Sequence, residues 1–529
     1  MKTDDLQWYH LFELRGTRRD FLRAGGSAAA LVAMGGALPA RRGDAAPRFR
    51  ADPFTLGVAS GDPMPDGVVL WTRLAADTVA EAAGLGTRVP VRWEVADDEA
   101  FRRVARRGEA LALPELGHSV HAEVEGLEPG RVYHYRFTTG GAVSPVGRTR
   151  TAPAAGAPTD RLRFAFASCQ NFEHGHYTAY RHMAEEDLDL VVHLGDYIYE
   201  KRFDSAPTVR EHEAGETLTL EGYRARYAHY RRDPHLRAAH AAFPWVVTQD
   251  DHEVDNNWAG PHPEDDQERG AFLLRRAAAF QTWYEFMPLR RSSVPRGPDM
   301  RLYRRLAFGD LLSLSVLDTR QHRSDQACGD RNKPYCAEAF EVGRTMLGDA
   351  QERWMLEGLA TSEARWNVLA NQVMVSRLQR EDEDGTPIHP MDMWDGYPAA
   401  RQRLLDVLAS GRTANPVVLT GDIHSSWVSD IKADFDRPRS PVVGTELVGT
   451  SITSGGDGRE VFDGFDRTRA ANPHIHWYNG RRGYVAVDVE RERMTARYQV
   501  VPWVSRPDAP KETRATFVVR DGRPGAVRE

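Results

Sequence analysis

The sequence has few cysteines, no excess of basic residues and no apolar run long enough to cross a membrane. Three cysteines in 529 residues cannot supply a disulfide framework, although Cys328 and Cys336 bracket a short polar stretch and could close one small loop. The net charge of −7, with 27% charged residues, argues against a nucleic-acid-binding surface. We also find no internal repeat, no Walker lysine and no G-x-S-x-G motif near the predicted strand ends.

The N-terminal segment has the layout of an export signal. In "TRRDFLRAGGSAAALVAMGGALPA" (17–40), paired arginines precede a short Ala/Gly-rich apolar run, and Arg41-Arg42 follow it instead of a membrane anchor. The pair Arg18-Arg19 with Phe21-Leu22 resembles the twin-arginine signal. We therefore predict a signal peptide over residues 1–46, recognised by the twin-arginine translocation machinery, and a mature protein in the periplasm, cell wall or medium. The alternative is an N-terminal amphipathic helix.

The rest of the chain divides into two predicted domains and a tail. Residues 47–152 alternate apolar and polar positions between turn residues, which indicates a small antiparallel β-sandwich. A linker rich in Ala, Pro and Gly, 151–160, separates it from residues 160–505, where short apolar runs alternate with helical stretches. That alternation predicts a layered α/β domain. Residues 506–529 are predicted to be a C-terminal tail.

Four predicted strands of the second domain run directly into polar, metal-capable residues. Ligands of open α/β sheets bind beyond the carboxyl ends of the strands, so we expect these residues to converge on one site. The four polar groups are Cys169; Gly195-Asp196 with Tyr199; Asp250-Asp251-His252-Glu253 with Asn256-Asn257; and Gly421-Asp422-Ile423-His424.

The residue types favour a pair of metal ions. Carboxylates suit hard cations, and imidazole suits iron or zinc. A phenol has an ordinary pKa near 10, so Tyr199 would ionise only beside a strongly Lewis-acidic ion such as Fe³⁺. Asp196 between two ions could bridge them, and a bridged pair is suited to holding phosphoryl oxygens. The alternative for Tyr199 is an aromatic ring packed at the strand edge.

The motifs resemble those of the PhoD-type alkaline phosphatases. The resemblance rests on "SCQ", "HLGDYIYE", "DDHEVDNNW" and "GDIHSSW", with "FTLGVASGDPMPDGVVLWTRL" and the twin-arginine signal before them, and it extends to about residue 500. It implies a layered α/β/β/α metallophosphoesterase-like catalytic domain. Compared with the wider superfamily, imidazole ligands are fewer and oxygen and thiolate ligands more numerous, which favours iron with calcium over two zinc ions.

The resemblance also implies a distribution of ligands. Ferric iron would be held through Cys169, Asp196 and Tyr199, with His424 completing its side. Calcium would also bind Asp196, and Asp422 would be a further ligand of the calcium ion. Asp251 and Asn256 are alternative calcium ligands, of which we favour Asn256.

These expectations lead to a hydrolase of phosphate esters, in which a metal-bound oxygen attacks phosphorus and His252 binds or protonates the ester oxygen. The alternative for His252 is a hydrogen-bonded histidine behind the ligands. The expected substrate is a small phosphate ester, with phospholipids and polymer ends as further candidates. Two other functions stay open: a phosphodiesterase or phospholipase D-like hydrolase on the same scaffold, and a calcium-stabilised binding protein without catalysis.

Overall fold

A computed structural model describes residues 47–84 and 86–529 of the chain. The predicted signal peptide, residues 1–46, lies outside the described residues. In the described part the fold is mixed α/β, and no helix there is both long and apolar enough to span a bilayer. Seventeen strands of the described part belong to one branched hydrogen-bonded sheet.

The N-terminal unit is built almost entirely of antiparallel strands. Its elements are β1 (Val58–Met64), β2 (Gly67–Arg73), α1 (Ala76–Ala83), β3 (Val89–Ala96), β4 (Val104–Ala112), β5 (Ser119–Val124), β6 (Val132–Thr139), β7 (Ala142–Val143) and β8 (Gly147–Arg150). Strands β4, β3 and β6 pair in that order, with β7 and β8 against β6. Strands β1, β2 and β5 form a second antiparallel set, and both sets contribute side chains to one apolar core.

The middle of the chain alternates strands with helices. Its elements are β9 (Arg161–Ala167), α2 (Thr178–Ala184), β10 (Leu190–His193), α3 (Leu220–Arg231), α4 (Pro234–Ala242), β11 (Pro244–Val247) and α5 (Arg269–Phe286). Strands β9, β10 and β11 pair in parallel, so their carboxyl ends lie at one edge.

The N-terminal unit shares a sheet with the unit that follows it. Strand β1 pairs in parallel with β11, with Ser60 opposite Pro244 and Gly61 opposite Trp245. A Cβ atom at Gly61 would lie 2.6 Å from the carbonyl oxygens of Trp245 and Pro288, so only glycine permits this approach. The predicted boundary at 151–160 is therefore crossed by a continuous sheet.

The remaining elements include the other branch of the sheet, an extension of the first branch and a separate three-stranded sheet. They are β12 (Arg304–Phe308), β13 (Leu312–Val316), β14 (Asn332–Lys333), α6 (Gly348–Ala360), β15 (Trp366–Ala370), β16 (Arg380–Glu381), β17 (Pro387–Pro390), α7 (Pro398–Ala409), β18 (Pro416–Thr420), β19 (Ser426–Lys432), β20 (Val442–Val448), β21 (Gly458–Arg459), α8 (Phe465–Ala471), β22 (Ile475–Glu490), β23 (Arg493–Val501), β24 (Glu512–Arg520) and β25 (Arg523–Arg528). Strands β13, β15, β18 and β20 pair in parallel. Strands β23 to β25 extend the first branch, and β14, β17 and β16 form the separate three-stranded sheet. The long β22 joins the branches, because its first part pairs with β19 and its second part with β9.

Alternate residues of β9 belong to different cores. Phe164 and Phe166 pack in a cluster that also contains residues of β13, β15 and β18, whereas Ala165 and Ala167 pack with helices α2 to α5. Since successive side chains of a strand point to opposite faces, the first cluster lies between the two branches of the sheet. A third cluster places α6 and α7 against the second branch.

The C-terminal residues correct one prediction. Residues 506–529 do not form a tail, because β24 pairs with β23 and β25 with β24 at the edge of the sheet. Phe517, Val518 and Val519 are buried there, so the segment stabilises the sheet by burying apolar surface. Cys328 and Cys336 form a disulfide, whereas Cys169 is a free, buried cysteine.

Candidate metal centre

The predicted site residues follow the carboxyl ends of parallel strands. Cys169 comes after β9, Asp196 after β10, Asp251 after β11, and Asp422 and His424 after β18. Four of them have left-handed backbone: φ is 58° at Cys169, 56° at Asp196, 61° at Asp422 and 56° at His424. Such conformations cost free energy for residues other than glycine, and their clustering at strand ends is typical of functional sites.

Gly195 permits the tightest of these turns. Its φ is 110°, and a Cβ atom there would lie 2.4 Å from the backbone nitrogen of Asp250. The turn after β10 therefore packs directly on the turn after β11, which brings Asp196 beside Asp250 and Asp251. Glu253 holds the two turns together by accepting hydrogen bonds from the backbone N–H groups of Asp196 and Asp250, at 3.2 and 2.8 Å.

The first group of ligands is Cys169, Asp196 and His424, whose ligand atoms all lie within 4.8 Å of one another. Tyr199 completes this group, because its Oη donates a hydrogen bond of 2.9 Å to Asp196 Oδ2 and lies 3.0 Å from His424 Nε2. Ser454 Oγ lies 2.7 Å from the same phenolic oxygen. The packed-aromatic alternative for Tyr199 does not account for three polar partners around one hydroxyl.

A second set of carboxylates lies next to the first. Asp196, Asp251 and His252 form one group of ligand atoms within 4.8 Å, and Asp250, Asp251 and Asp422 form another. Asp196 belongs both to the group with Cys169 and to the group with Asp251. The geometry therefore offers two adjacent ion positions that share Asp196.

The chemistry of the donors fits bound cations. Asp196 Oδ1, Asp250 Oδ2 and Asp251 Oδ1 are buried and have no hydrogen-bond partner. Buried polar atoms are normally satisfied, and a metal ion would satisfy all three. Burial and neighbouring negative charges raise the pKa of Cys169, Asp196 and Asp422 well above their ordinary values. A cation would counter this by favouring the ionised forms.

Arg320 places a positive charge beneath the carboxylates. Its buried guanidinium donates to Asp250 and Asp392 and lies 3.6 Å from Asp251 and 3.7 Å from Asp422. Burial favours the neutral form of Asp251, but Arg320, His252 and the hydrogen bond from the backbone N–H of Asn257 together outweigh burial and lower the pKa of that carboxyl. Arg320 is the largest of these opposing causes, so it favours the ionised form of Asp251.

His252 is held from behind by a buried carboxylate. Its Nδ1 lies 2.8 Å from Glu200 Oε2, and its ring stacks on Tyr199 with 4.0 Å between ring centres. Burial disfavours the charged imidazolium, but Asp251, Glu200 and Asp196 outweigh burial and raise the pKa of His252 well above its usual value. The contact with Glu200 is the one that the hydrogen-bonded alternative predicts, and the role of His252 in proton transfer stays a prediction.

Asn256, the favoured calcium ligand of the prediction, makes hydrogen bonds to two acidic residues, Glu200 and Glu264. Its amide nitrogen donates a 2.7 Å hydrogen bond to Glu264, at the more exposed side of the loop. Asp251, the alternative, lies in two of the ligand groups. The next residue, Asn257, supports Asp251 by donating its backbone N–H to Asp251 Oδ2 at 2.8 Å.

Two residues of the site, Arg320 and Ser454, escape prediction from the sequence. Arg320 comes four residues after β13 ends, so the same strand-end rule would have included it. Ser454 lies in a Gly/Ser-rich segment, 449–456, whose closeness to Tyr199 has no local signal in the sequence.

Comparison with known proteins agrees with this geometry. The family model described as "PhoD-like phosphatase" matches residues 164–498, and the model for its N-terminal domain matches residues 39–153. The chain is 51% identical to alkaline phosphatase D of Bacillus subtilis (strain 168) over 515 residues, covering 96% of this chain and 88% of that protein. A solved structure titled "Structure of PhoD" superimposes with a TM-score of 0.89 at 52% identity, covering 91% of this chain and 93% of that one.

The mixed α/β fold, the buried cluster of metal-type ligands and these matches define the class: a metal-dependent hydrolase of phosphoric esters. The chain belongs to the PhoD-like phosphatase family. The resemblance noted in the sequence is thereby confirmed, and the predicted enzyme is favoured over the non-catalytic binding protein.

Proposed function

We propose that the chain is an exported phosphatase with a mixed iron and calcium centre. Ferric iron would be held by Cys169, Asp196, Tyr199 and His424, and calcium by Asp196 together with Asp251 and Asp422. The observation that carries the proposal is that Asp196 belongs to two ligand groups and keeps one buried oxygen without a partner. The alternative is that two zinc ions occupy the same positions.

When bound, such an ion pair would supply Lewis acidity for the phosphoryl oxygens and lower the pKa of the attacking water. The protein's own residues prepare the site for this. Tyr199 fixes one Asp196 oxygen through its hydroxyl, and Ser454 fixes Tyr199 in turn. Arg320 partly offsets the repulsion among the carboxylates, so that they can lie close together before an ion arrives.

His252 is placed to handle the proton of the reaction. Glu200 holds Nδ1, which leaves Nε2 as the atom that would donate a proton or hydrogen bond to the ester oxygen. The buried carboxylate of Glu200 favours the protonated form of the imidazole, which is the form that general-acid catalysis uses. The stacked ring of Tyr199 fixes the plane of the imidazole.

The layered architecture and export form the rest of the proposal. Helices on both sides of two facing sheet branches support an α/β/β/α catalytic unit, and the shared core of the N-terminal strands supports a β-sandwich before it. The pair Arg18-Arg19 supports export by the twin-arginine route.

The experiment that tests this proposal compares two substrates on one protein preparation. Purified protein is assayed with p-nitrophenyl phosphate, a monoester, and bis-p-nitrophenyl phosphate, a diester, before and after dialysis against a chelator. We expect the chelated protein to lose at least about a hundredfold in monoester activity. Fe³⁺ with Ca²⁺ should restore it. Restoration by Zn²⁺ alone would overturn the iron–calcium assignment, and a higher kcat/KM for the diester would favour the phosphodiesterase.

A further inference from the structure

A pocket of about 390 Å³ opens beside the metal centre, and its role is not explained by the ligands. It is lined by side chains that follow β18 and by parts of β16, β21 and β22. His424 belongs both to the pocket wall and to the ligand group with Cys169 and Asp196. A phosphate ester held at the centre therefore has this pocket beside it, with a volume in the range that accommodates a small organic group.

One wall of the pocket is aromatic and rigid. Trp427, Phe462 and Tyr478 contact one another edge to face or tilted, with ring centres 4.6 Å apart for Trp427 and Tyr478 and 5.0 Å apart for Phe462 and Tyr478. Trp427 is fully buried, while Phe462 and Tyr478 are half-buried and line the cavity. Such a wall can pack against a flat or apolar part of a ligand without rearrangement.

The same pocket contains positive charge that no carboxylate neutralises. The buried guanidinium of Arg482 donates to the carbonyl oxygens of His424, Gly455 and Gly456, which are all neutral acceptors. Arg380 Nε is buried and has no hydrogen-bond partner within the described part of the chain. A third arginine, Arg459, stands exposed at the rim and pairs with Asp463.

We infer that this pocket, which we call the arginine pocket, binds the alcohol part of the ester and favours an alcohol that carries a second anionic group. The aromatic wall would contact its carbon skeleton, and Arg380 would bind the anion, a carboxylate or a second phosphate. A half-buried guanidinium with an unpartnered Nε gains from a bound anion, since charge-assisted hydrogen bonds are the strong ones. This inference rests on the proposed phosphatase and names its substrate class.

The test uses substrates that differ in charge but not in shape. We would compare kcat/KM for 4-carboxyphenyl phosphate with that for 4-carbamoylphenyl phosphate, whose leaving group has similar size but no charge. A third ester, 4-phosphonophenyl phosphate, distinguishes a phosphate-like anion from a carboxylate. We expect the anionic esters to be preferred by at least about tenfold, and the preference to fall as salt rises.

Two variants test whether Arg380 causes the preference for anionic esters. Arg380→Met keeps the length of the side chain and should bring the ratio of anionic to neutral ester close to one. Arg467→Met removes an equal charge from the exposed face of α8, outside the pocket, and should leave the ratio unchanged. If Arg380→Met does not fold, the inference is still tested by the ratio of kcat/KM for the anionic ester to that for the neutral ester in the unaltered protein, and by the dependence of that ratio on salt.

The outcomes separate this inference from the proposed function. Hydrolysis of all three esters with a ratio near one, or a ratio that survives Arg380→Met, would overturn the arginine pocket and leave the phosphatase intact. Hydrolysis of none of them would overturn the proposed function itself.

Discussion

At the scale of single residues, Asp196 belongs to two of the groups of ligand atoms and would bind both ions of the proposed centre. It follows β10 in a left-handed conformation and is buried, with one oxygen bonded to Tyr199 and the other unpartnered. Burial and the neighbouring acids raise the pKa of Asp196, so holding it ionised requires a cation. Removing its charge should therefore affect both ions at once.

We predict that Asp196→Asn lowers monoester activity by at least about a hundredfold and lowers the content of both metals. Asparagine keeps the size and one acceptor but not the charge. Metal analysis and kcat/KM for p-nitrophenyl phosphate measure the two effects. The control is Asp436→Asn, an aspartate with an exposed side chain. Retention of full activity by Asp196→Asn would contradict a shared ligand at this position.

At the scale of elements, β5 and α5 meet at a half-buried histidine. His121 Nε2 lies 2.8 Å from the carbonyl oxygen of Tyr284 and 3.0 Å from that of Met287, and its ring stacks on Tyr284. Burial lowers the pKa of His121 from 6.5 to about 4, although the two carbonyl groups act in the opposite direction. The contact joins the N-terminal unit to the catalytic unit, and burial makes the neutral ring the more stable form there.

The sign of the pH dependence follows from that lowered pKa. The unfolded chain takes up a proton near pH 6.5 and the folded chain only near pH 4, so the stabilisation is fully present above pH 6.5 and is lost as the pH falls towards 4. Between pH 7 and pH 5 the loss is about 2 kcal/mol.

His121→Gln keeps a donor for the two carbonyl groups and removes the titration. We predict that the thermal unfolding midpoint of the unaltered protein falls more between pH 7 and pH 5 than that of His121→Gln. His262→Gln, at an exposed side chain, serves as the matched control. Equal falls in the unaltered protein and in His121→Gln would contradict the account of this contact.

The elements also show how far sequence reasoning reaches. The turns after β9, β10, β11 and β18 could be predicted because an apolar run that ends in ligand-type residues is a local pattern. Arg320 follows β13 in the same way, but its partners are as far away as Asp422, and a charged residue has no sequence signal for distant partners. The sequence does not show the path of the loop after β11, which turns the side-chain amide nitrogen of Asn256 towards Glu264.

The C-terminal strands were missed although their signal was present. The apolar residues at the end of β24 are followed by Asp521-Gly522, a pair that favours a two-residue hairpin turn. Strand β25 begins directly after this turn. The parallel pairing of β1 with β11 had no such signal, because parallel partners far apart in the chain share no turn.

At the scale of the whole molecule, the proposed export route would suit the proposed metal centre. The ligands of the candidate centre follow four different strands, so they come together only in the folded chain. Metals would therefore be acquired after folding, before transport. The twin-arginine route carries folded proteins, which agrees with such a centre.

We predict that Arg18→Lys with Arg19→Lys blocks export while preserving charge, because the translocation machinery reads the arginine pair itself. Activity should accumulate inside the cells and be lost from the exported fraction. The paired control, Arg41→Lys with Arg42→Lys, changes arginines outside the motif and should export normally. Equal export of the two double variants would contradict the twin-arginine assignment.

The measurement that tests the central claim most directly is the visible absorption spectrum of the protein as purified, with iron and calcium measured in the same sample. The account predicts a broad visible band from a tyrosinate bound to ferric iron, lost in Tyr199→Phe and kept in Tyr197→Phe, whose hydroxyl contacts His240 instead. A colourless protein that is active and replete with metal, or a band unchanged in Tyr199→Phe, would contradict the proposed centre.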